Sequence, residues 1–385
     1  MSDSKDTNKD QIDYWNADAG NRWVKNQDLL DRALTPYGKA AMTAAAIQPG
    51  ERVIDVGCGC GDTSLALAEA VGPKGTVLAL DARRKGELSF VSHAHADHIA
   101  RHDRVIATAP TLRLMAHRLG ALDGPLSAPY NRPFALGPLT LELLPAGHIL
   151  GSAQLRVTRP DGRRIVYTGD LNLVPALTAE PAQVAACDTL VIESTFGHPR
   201  YAFPERTIVL QHVEAWVRAA LERGATPVLL GYAVGKAQEV ICSLTRSGHA
   251  VVAHSSICDI AELYREFGVD VGPVRRFDNT VQAGEVAVFP PHAWRFQRLQ
   301  RPWPRETAVL TGWAMDPGTA RRYGADVAFP VSDHADCAAL VQYACATGAR
   351  EVVTHHGFAH ELAQALSAAG LDARVLGKPK QLSLF

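Results

Sequence analysis

The sequence lacks the features that would commit it to a membrane, a disulfide scaffold or a uniformly charged surface. Its 39 lysines and arginines nearly cancel its 40 aspartates and glutamates, leaving a net charge of −1. That balance excludes a global basic field, so any surface for nucleic acid must be a local patch. Seven cysteines show no paired spacing apart from Cys58 and Cys60, a usage that suits reduced thiols in a cytosolic protein. No apolar run is long enough to span a bilayer and no signal peptide opens the chain, so a cytoplasmic location without a membrane partner is expected. No internal repeat or low-complexity tract is visible. What remains is a chain of 385 residues, 47% apolar, which suits two or three domains with real cores.

The densest chemistry lies in Val91-Ser92-His93-Ala94-His95-Ala96-Asp97-His98. The apolar lead-in Leu88, Phe90 and Val91 reads as a short buried strand delivering this run to a loop. Side chains two apart on an extended segment point the same way, so His93 and His95 can share one metal ion. Asp97 and His98 follow where the chain turns and can hold a second. A histidine-rich surface loop is the plain alternative, and the HxHxDH spacing argues against it. Further ligand types follow downstream, each at the end of an apolar strand. Leu139–Leu144 leads to Gly147-His148-Ile149-Leu150-Gly151-Ser152, Arg164–Tyr167 to Thr168-Gly169-Asp170, and Glu351–Thr354 to His355-His356-Gly357. Imidazoles and carboxylates without thiolates suit zinc.

These HAHADH, GHILGS, TGD and THHG motifs resemble the metallo-β-lactamase superfamily. Three more, Ile192-Glu193-Ser194-Thr195-Phe196-Gly197, Ser332-Asp333-His334-Ala335-Asp336 and Gly231 to Glu239 (GYAVGKAQE), resemble its β-CASP nucleases. That group includes the polyadenylation endonuclease subunit, ribonuclease J and bacterial ligase-associated DNA exonucleases. The resemblance runs from about Asp81 to near the C-terminus, with a compact stretch between Glu193 and His334. It implies an α/β fold: an αββα metallo-β-lactamase sandwich with an inserted β-CASP α/β domain. The parts are expected at 81–200 for the first half of the sandwich, 201–325 for the insertion, and 326–385 for the return with a C-terminal tail.

The resemblance also implies two Zn2+ ions, with Mn2+ as an alternative. His93, His95 and His148 would hold one; Asp97, His98 and His356 the other; Asp170 would bridge them. Such a pair sits about 3.5–4 Å apart and clamps a hydroxide for in-line attack on phosphorus, which makes Asp97 part of the catalytic set. His334 corresponds to the histidine proposed as general acid, with Glu193 as its hydrogen-bond partner; a structural role beside Asp333 or Asp336 is the alternative. His355 is the lesser ligand candidate, since the family places its ligand directly before the glycine. Lys236, at a helix start, could meet a phosphate or lie in solvent. His102, His117, His212, His249 and His360 match no motif. The implied activity is a metal-dependent nuclease, DNA exonuclease first and ribonuclease second, with a small-molecule metallohydrolase, or a fusion that also carries a methyltransferase activity, behind both.

Residues 1–80 read differently. Val53 to Val56 is a strand entering the glycine-rich turn Gly57-Cys58-Gly59-Cys60-Gly61, followed by a helix over 63–70 and a second strand, Thr76–Leu80, ending at Asp81. This βαβ unit, with Tyr14-Trp15-Asn16 upstream, resembles the opening of a class I S-adenosylmethionine-dependent methyltransferase. Asp55, Gly57, Gly59 and Asp81 would be its cofactor residues. The remaining Rossmann strands are missing, so the segment reads as a truncated module in a fused chain, not expected to bind S-adenosylmethionine. Asp81 has a second claim on it, as the acid ending the strand ahead of HAHADH, and cannot easily serve both.

Between the motifs, 111–119 reads as an amphipathic helix and 125–133 as a loop. Past Glu193 helices and strands alternate: helix 207–223, strand 227–230, helix 236–246, strand 250–253. That pattern indicates a parallel sheet, closed by 309–313, with 326–330 returning the chain to the first domain. Trp294 to Arg305 interleaves arginines with aromatics, a pattern that suits a single strand of nucleic acid as well as a plain surface loop. The end of the chain, Gln381-Leu382-Ser383-Leu384-Phe385, resembles the short peptide by which bacterial polymerases and repair proteins bind the sliding clamp. Folding back onto the core is the alternative.

Overall fold

The computed structural model describes residues 38–56, 62–72, 74–294 and 304–376. The chain divides into two units, Met1–Leu80 and Asp81–Phe385. In the first, strand β1 (Arg52–Val56), helix α1 (Asp62–Val71) and strand β2 (Thr76–Leu80) follow one another. β1 and β2 pair in parallel, Arg52 opposite Thr76 and Val56 opposite Leu80, so this is a βαβ unit. The Asp55 carboxylate accepts hydrogen bonds from the hydroxyls of Thr63, 2.8 Å, and Ser64, 2.6 Å. A negative group there complements the positive end of α1. Gly57 and Gly59 lie outside the described residues.

The second unit begins with three short parallel strands, β3 (Leu88–Phe90), β4 (Arg104–Ala107) and β5 (Pro125–Ser127), with α2 (Ala109–Leu119) between the last two. Thr108 caps α2 by accepting from the Thr111 amide, a bond typically worth about 1 kcal/mol. The 125–133 stretch, expected as a loop, holds β5 and a bridge from Tyr130 to Leu143. A proline survives there because β5 is an edge strand, with nothing to donate to on its outer side.

Strands β6 (Phe134–Leu136), β7 (Leu139–Pro145), β8 (Ala153–Thr158), β9 (Arg164–Tyr167) and β10 (Thr189–Glu193) come next. Then the chain leaves for a separate layer: α3 (Arg206–Glu222), β11 (Thr226–Leu230), α4 (Lys236–Arg246), β12 (Ala250–Ala253), α5 (Ser255–Glu266), β13 (Arg275–Arg276), β14 (Glu285–Phe289), α6 (Pro291–Trp294), β15 (Arg305–Leu310), α7 (Thr319–Tyr323) and β16 (Val327–Phe329). Its six strands form an all-parallel sheet in the order β13-β12-β14-β11-β15-β16. The chain returns through α8 (Cys337–Thr347), β17 (Glu351–His355), α9 (Ala359–Ala368) and β18 (Asp372–Val375). β17 pairs in parallel beside β10, completing a seven-stranded sheet in the order β18-β17-β10-β9-β8-β7-β6.

The parallel half of that sheet is covered by α8 and α9: Leu190, Ile192 and Val352 share a core with Leu340, Tyr343, Leu362 and Leu366. Truncating a buried leucine of this kind to alanine costs about 2–5 kcal/mol. A second core matters more for the site. It joins Val91, Ala94, Ile149 and Leu150, from the histidine-bearing turns, to Val209, Val234, Ala237 and Val240 of the inserted layer.

Two expectations need correction. The inserted sheet closes on β16, because Ala308, Val309 and Leu310 pair with Val327, Ala328 and Phe329. Gly312–Met315 is a 3-10 turn, and the boundary at 325/326 cuts the inserted layer short. β14 and α5 escaped the sequence reading altogether. All five residues of β14 are buried, and a strand covered on both faces shows no polar alternation.

Candidate metal centre

Val91 to His98 leave the end of β3 with the turn closed by the His98 amide on the His95 carbonyl, 3.0 Å. His148 comes from the turn between β7 and β8, and Asp170 from the turn after β9. That last turn needs Gly169, whose φ is +55° and where a Cβ would lie 2.5 Å from the Cβ of Ser92. A side chain at 169 would push Asp170 off the cluster. His93, His95, His148 and Asp170 each offer a ligand atom within 4.8 Å of the others.

Proton placement shows what these rings are arranged for. The Ser92 hydroxyl donates to Asp81 Oδ2, 2.7 Å, and so accepts from His93 Nδ1, 3.0 Å. His95 donates Nε2–H to the Val234 carbonyl, 3.2 Å, and His148 donates Nδ1–H to the Asp333 carbonyl, 2.7 Å. The remaining nitrogens, His93 Nε2, His95 Nδ1 and His148 Nε2, then face one another as bare lone pairs, with 3.1 Å and 3.0 Å between them. Asp170 Oδ2 stands 3.4 Å and 3.5 Å from the two Nε2 atoms. Acceptors converging with their donors turned outward repel one another unless a cation sits among them. Burial pushes His93 and His148 well below the ordinary histidine value and His95 down to about 4, which keeps the lone pairs free. The donor set fits a divalent cation of zinc type.

The second group is looser. His98 Nε2 lies 3.6 Å from Asp170 Oδ2 and 3.8 Å from Asp97 Oδ2, while its Nδ1 donates to Asp81 Oδ2 at 3.0 Å. Burial opposes its proton, but Asp170, Asp81 and Asp97 together raise it to about 10. His356 directly follows β17, with φ +65°, a rare conformation for a residue with a side chain. Among the described residues, Asp97, His98 and His356 do not form a cluster as tight as the first. His355 turns the other way and stacks on Tyr167, centroids 5.4 Å apart.

Asp81 proves to be the hub of this wall. Its carboxylate accepts from the Ser92 amide and hydroxyl, His98 and the Tyr167 hydroxyl, all at 2.7–3.0 Å. With its lone pairs spent on the imidazole wall, Asp81 is not disposed as the ribose acid of a cofactor loop. Ser92, Tyr167 and the Val234 carbonyl were not legible as site groups.

His334 sits beside the cluster, its Nε2 3.9 Å from Asp170 Oδ2 and its Nδ1 3.1 Å and 3.2 Å from the two oxygens of Glu193. Glu193 is fully buried and also accepts from the Leu171 and Thr195 amides. Burial penalises both charges, yet each sustains the other: Glu193 falls to about 2, and His334 rises to about 9 under Glu193 and Asp170. Burial lifts Asp170 to about 7. Asp336 is not a partner of His334; it caps α8 through the Ala339 amide. Lys236 is neither solvated nor open to a phosphate. It is buried against Asp333, 2.7 Å away.

Against known proteins, residues 78–230 match the β-lactamase superfamily domain. The chain carries a metallo-β-lactamase-superfamily domain. A probable DNA ligase of Opitutus terrae is 39% identical over 306 residues, covering 79% of this chain and 30% of that protein. An RNase J-like protein of Methanocaldococcus jannaschii is 37% identical over 98 residues, 25% of this chain and 23% of that one. Transcription termination factor FttA of Methanothermobacter thermautotrophicus is 29% identical over 190 residues, 40% and 30% of the two chains. This chain thus spans about a third or less of the length of these relatives. Among solved structures, a protein of unknown function from Enterococcus faecalis V583 shares the fold, with TM-score 0.53, 16% identity, and 79% and 80% coverage. Residues 35–99 match the ubiE/COQ5 methyltransferase family, so the two family matches overlap over 78–99. Among the described residues no helix is long and apolar enough to cross a membrane.

Proposed function

We propose that this metallo-β-lactamase-superfamily protein is a two-zinc phosphodiesterase that cleaves nucleic acid, with DNA favoured over RNA, and acts as an exonuclease in repair or replication. The observation that carries the reading is the His334–Glu193 pair beside Asp170. A protonated imidazole next to a metal cluster suits chemistry with a poor leaving group, such as a sugar alkoxide, which must be protonated as it departs. When bound, two cations make water nucleophilic near neutral pH and neutralise charge on phosphoryl oxygens. His93, His95 and His148 would hold one, and Asp97, His98 and His356 the other, with Asp170 between them. Asp81 and the Val234 and Asp333 carbonyls fix which ring nitrogen each histidine presents. Glu193 keeps the proton on His334 until the leaving oxygen takes it from Nε2. DNA is favoured because the relative aligned over 79% of this chain is a probable DNA ligase. RNA remains the second substrate, since a shorter relative is named RNase J-like. Incubation with end-labelled single- and double-stranded DNA and RNA tests the reading. Shortening of DNA from one end supports it, RNA cleavage alone moves it to a ribonuclease, and inertness towards all four overturns it.

Two expectations attach to residues outside those described. Deleting Gln381 to Phe385 should abolish capture by a bacterial sliding clamp in a pull-down while leaving turnover on free oligonucleotides intact. In peptides of this kind the glutamine meets the pocket rim while leucine and phenylalanine fill an apolar groove, so the large apolar side chains supply most of the binding. Loss of folding on deletion, or no capture of the intact chain, would return the tail to the core. Calorimetry with S-adenosylmethionine should show no tight binding, because Asp81 is engaged by Ser92, His98 and Tyr167. Micromolar affinity abolished by Gly57→Val would restore a second activity.

A further inference from the structure

The segment Val234 to Glu239 of the inserted layer meets His95 and Asp333 directly through polar bonds. The Val234 carbonyl takes the His95 proton, 3.2 Å. Lys236, 3% exposed at the side chain, donates to Asp333 Oδ1 at 2.7 Å. Glu239 binds Arg206 at 2.6 Å, and Arg206 in turn donates to the Ser332 carbonyl. Gln238 ties the loop to itself, accepting from the Gly235 amide at 2.8 Å and donating to the Ala233 carbonyl at 3.0 Å. Gly235 has φ +90°, and a Cβ there would lie 2.3 Å from Ile149 Cγ2, beside His148. Lys236 and Arg206 thus grip Asp333 and Ser332, the residues directly before His334. The same Asp333 main chain holds the Nδ1 proton of His148.

We infer that Lys236 is a positioning residue of the hydrolytic centre: its ion pair with Asp333 holds the Asp333 carbonyl on His148 and sets the backbone from which His334 is presented. The inference rests on the proposed metal-dependent hydrolysis for its kinetic arm and on geometry alone for its metal arm. A burial as deep as this is costly for an ammonium group without a partner, and nothing about a solvated or phosphate-binding lysine requires it. Asp333 is the partner, yet its Oδ2 is buried without a hydrogen bond. The carboxylate is therefore held at one oxygen by Lys236, and its orientation depends on that bond.

The test compares Lys236→Met, Lys236→Arg, Asp333→Asn and the double variant Lys236→Met/Asp333→Asn in the full chain. Two readouts are taken: release of bound zinc to a chelator, and kcat and KM on the nucleic acid that the wild type cleaves. Lys236→Met should release one zinc on the order of 10–100 times faster, the scale for loss of an outer partner of a metal ligand. It should lower kcat at least about tenfold with KM within about threefold, because it meets no substrate. Lys236→Arg should recover most of both. The double variant should be no worse than the poorer single variant, since the two residues act through one bond. Wild-type zinc retention and kcat in Lys236→Met, or losses that multiply in the double variant, would overturn the inference. If Lys236→Met does not fold, Asp333→Asn alone must show faster zinc release and lower kcat, and wild-type behaviour there overturns it too. Should the wild type cleave no nucleic acid, the function fails but the zinc-release comparison still decides this point.

Discussion

His95→Ala should strip the protein of metal and turnover together, with elemental analysis falling from close to two zinc ions per chain and the rate to background. The expectation follows from the three lone pairs at 3.0–3.1 Å. Removing one leaves two imidazoles and Asp170, a weaker donor set in which water must replace an imidazole, and as metal is lost Asp170 loses the charge that balances its burial. The apoprotein should still fold, since the rings rest on partners of their own: Ser92 for His93, and the Asp333 carbonyl for His148. A preparation free of metal and fully active would sink the metal mechanism.

His334→Ala should behave in the opposite way, keeping both ions while losing about 10²–10⁴ in rate, the usual worth of a general acid. Activity within a few-fold of wild type would reassign His334 to structure. The pH profile separates the two roles further. The acid works only while protonated, so rate should fall on the alkaline side as His334 loses its proton. Its value in the metal-free protein is raised from 6.5 to about 9; bound cations repel the proton and move the limb downwards from there. Glu193→Gln removes the main charge that sustains the imidazolium, so the limb should move to lower pH still. For stability, a raised value means that the His334 contribution is fully present below about 6.5 and is lost as pH rises through about 9.

The cluster was readable because its chemistry is local. HAHADH puts ligands two apart on extended chain, and GHILGS, TGD and THHG each end a strand, where α/β sheets expose their functional turns. Asp81 was half readable: an acid after a strand fits a cofactor loop or a metal wall equally well. Only its contacts with Ser92, His98 and Tyr167 decide between them. Val234 was not readable at all, since a main-chain carbonyl has no residue type, and 139 positions separate it from His95. Lys236 looked like a solvated helix start because helix-start lysines usually are, and burial by distant chain leaves no local mark. The inserted layer was legible where helices carry a polar face and opaque at β14, whose Glu285–Phe289 is wholly covered.

The Arg206–Ser332 contact also bears on how the molecule assembles. β10 and β17 are neighbours in the sheet, yet Ser194 and the His355 carbonyl that it holds are 161 residues apart. Closing so long a loop is entropically costly, and topologies of this kind fold slowly. Arg206 and Ser332 lie near the entry and exit of the inserted layer, and they touch. If that layer condenses first, the loop still to be closed shrinks to a few tens of residues, about two doublings shorter, which saves about 1.2 kcal/mol. The insertion then serves assembly as a clasp, delivering Glu351–His355 to the edge of β10 as though the intervening chain were absent.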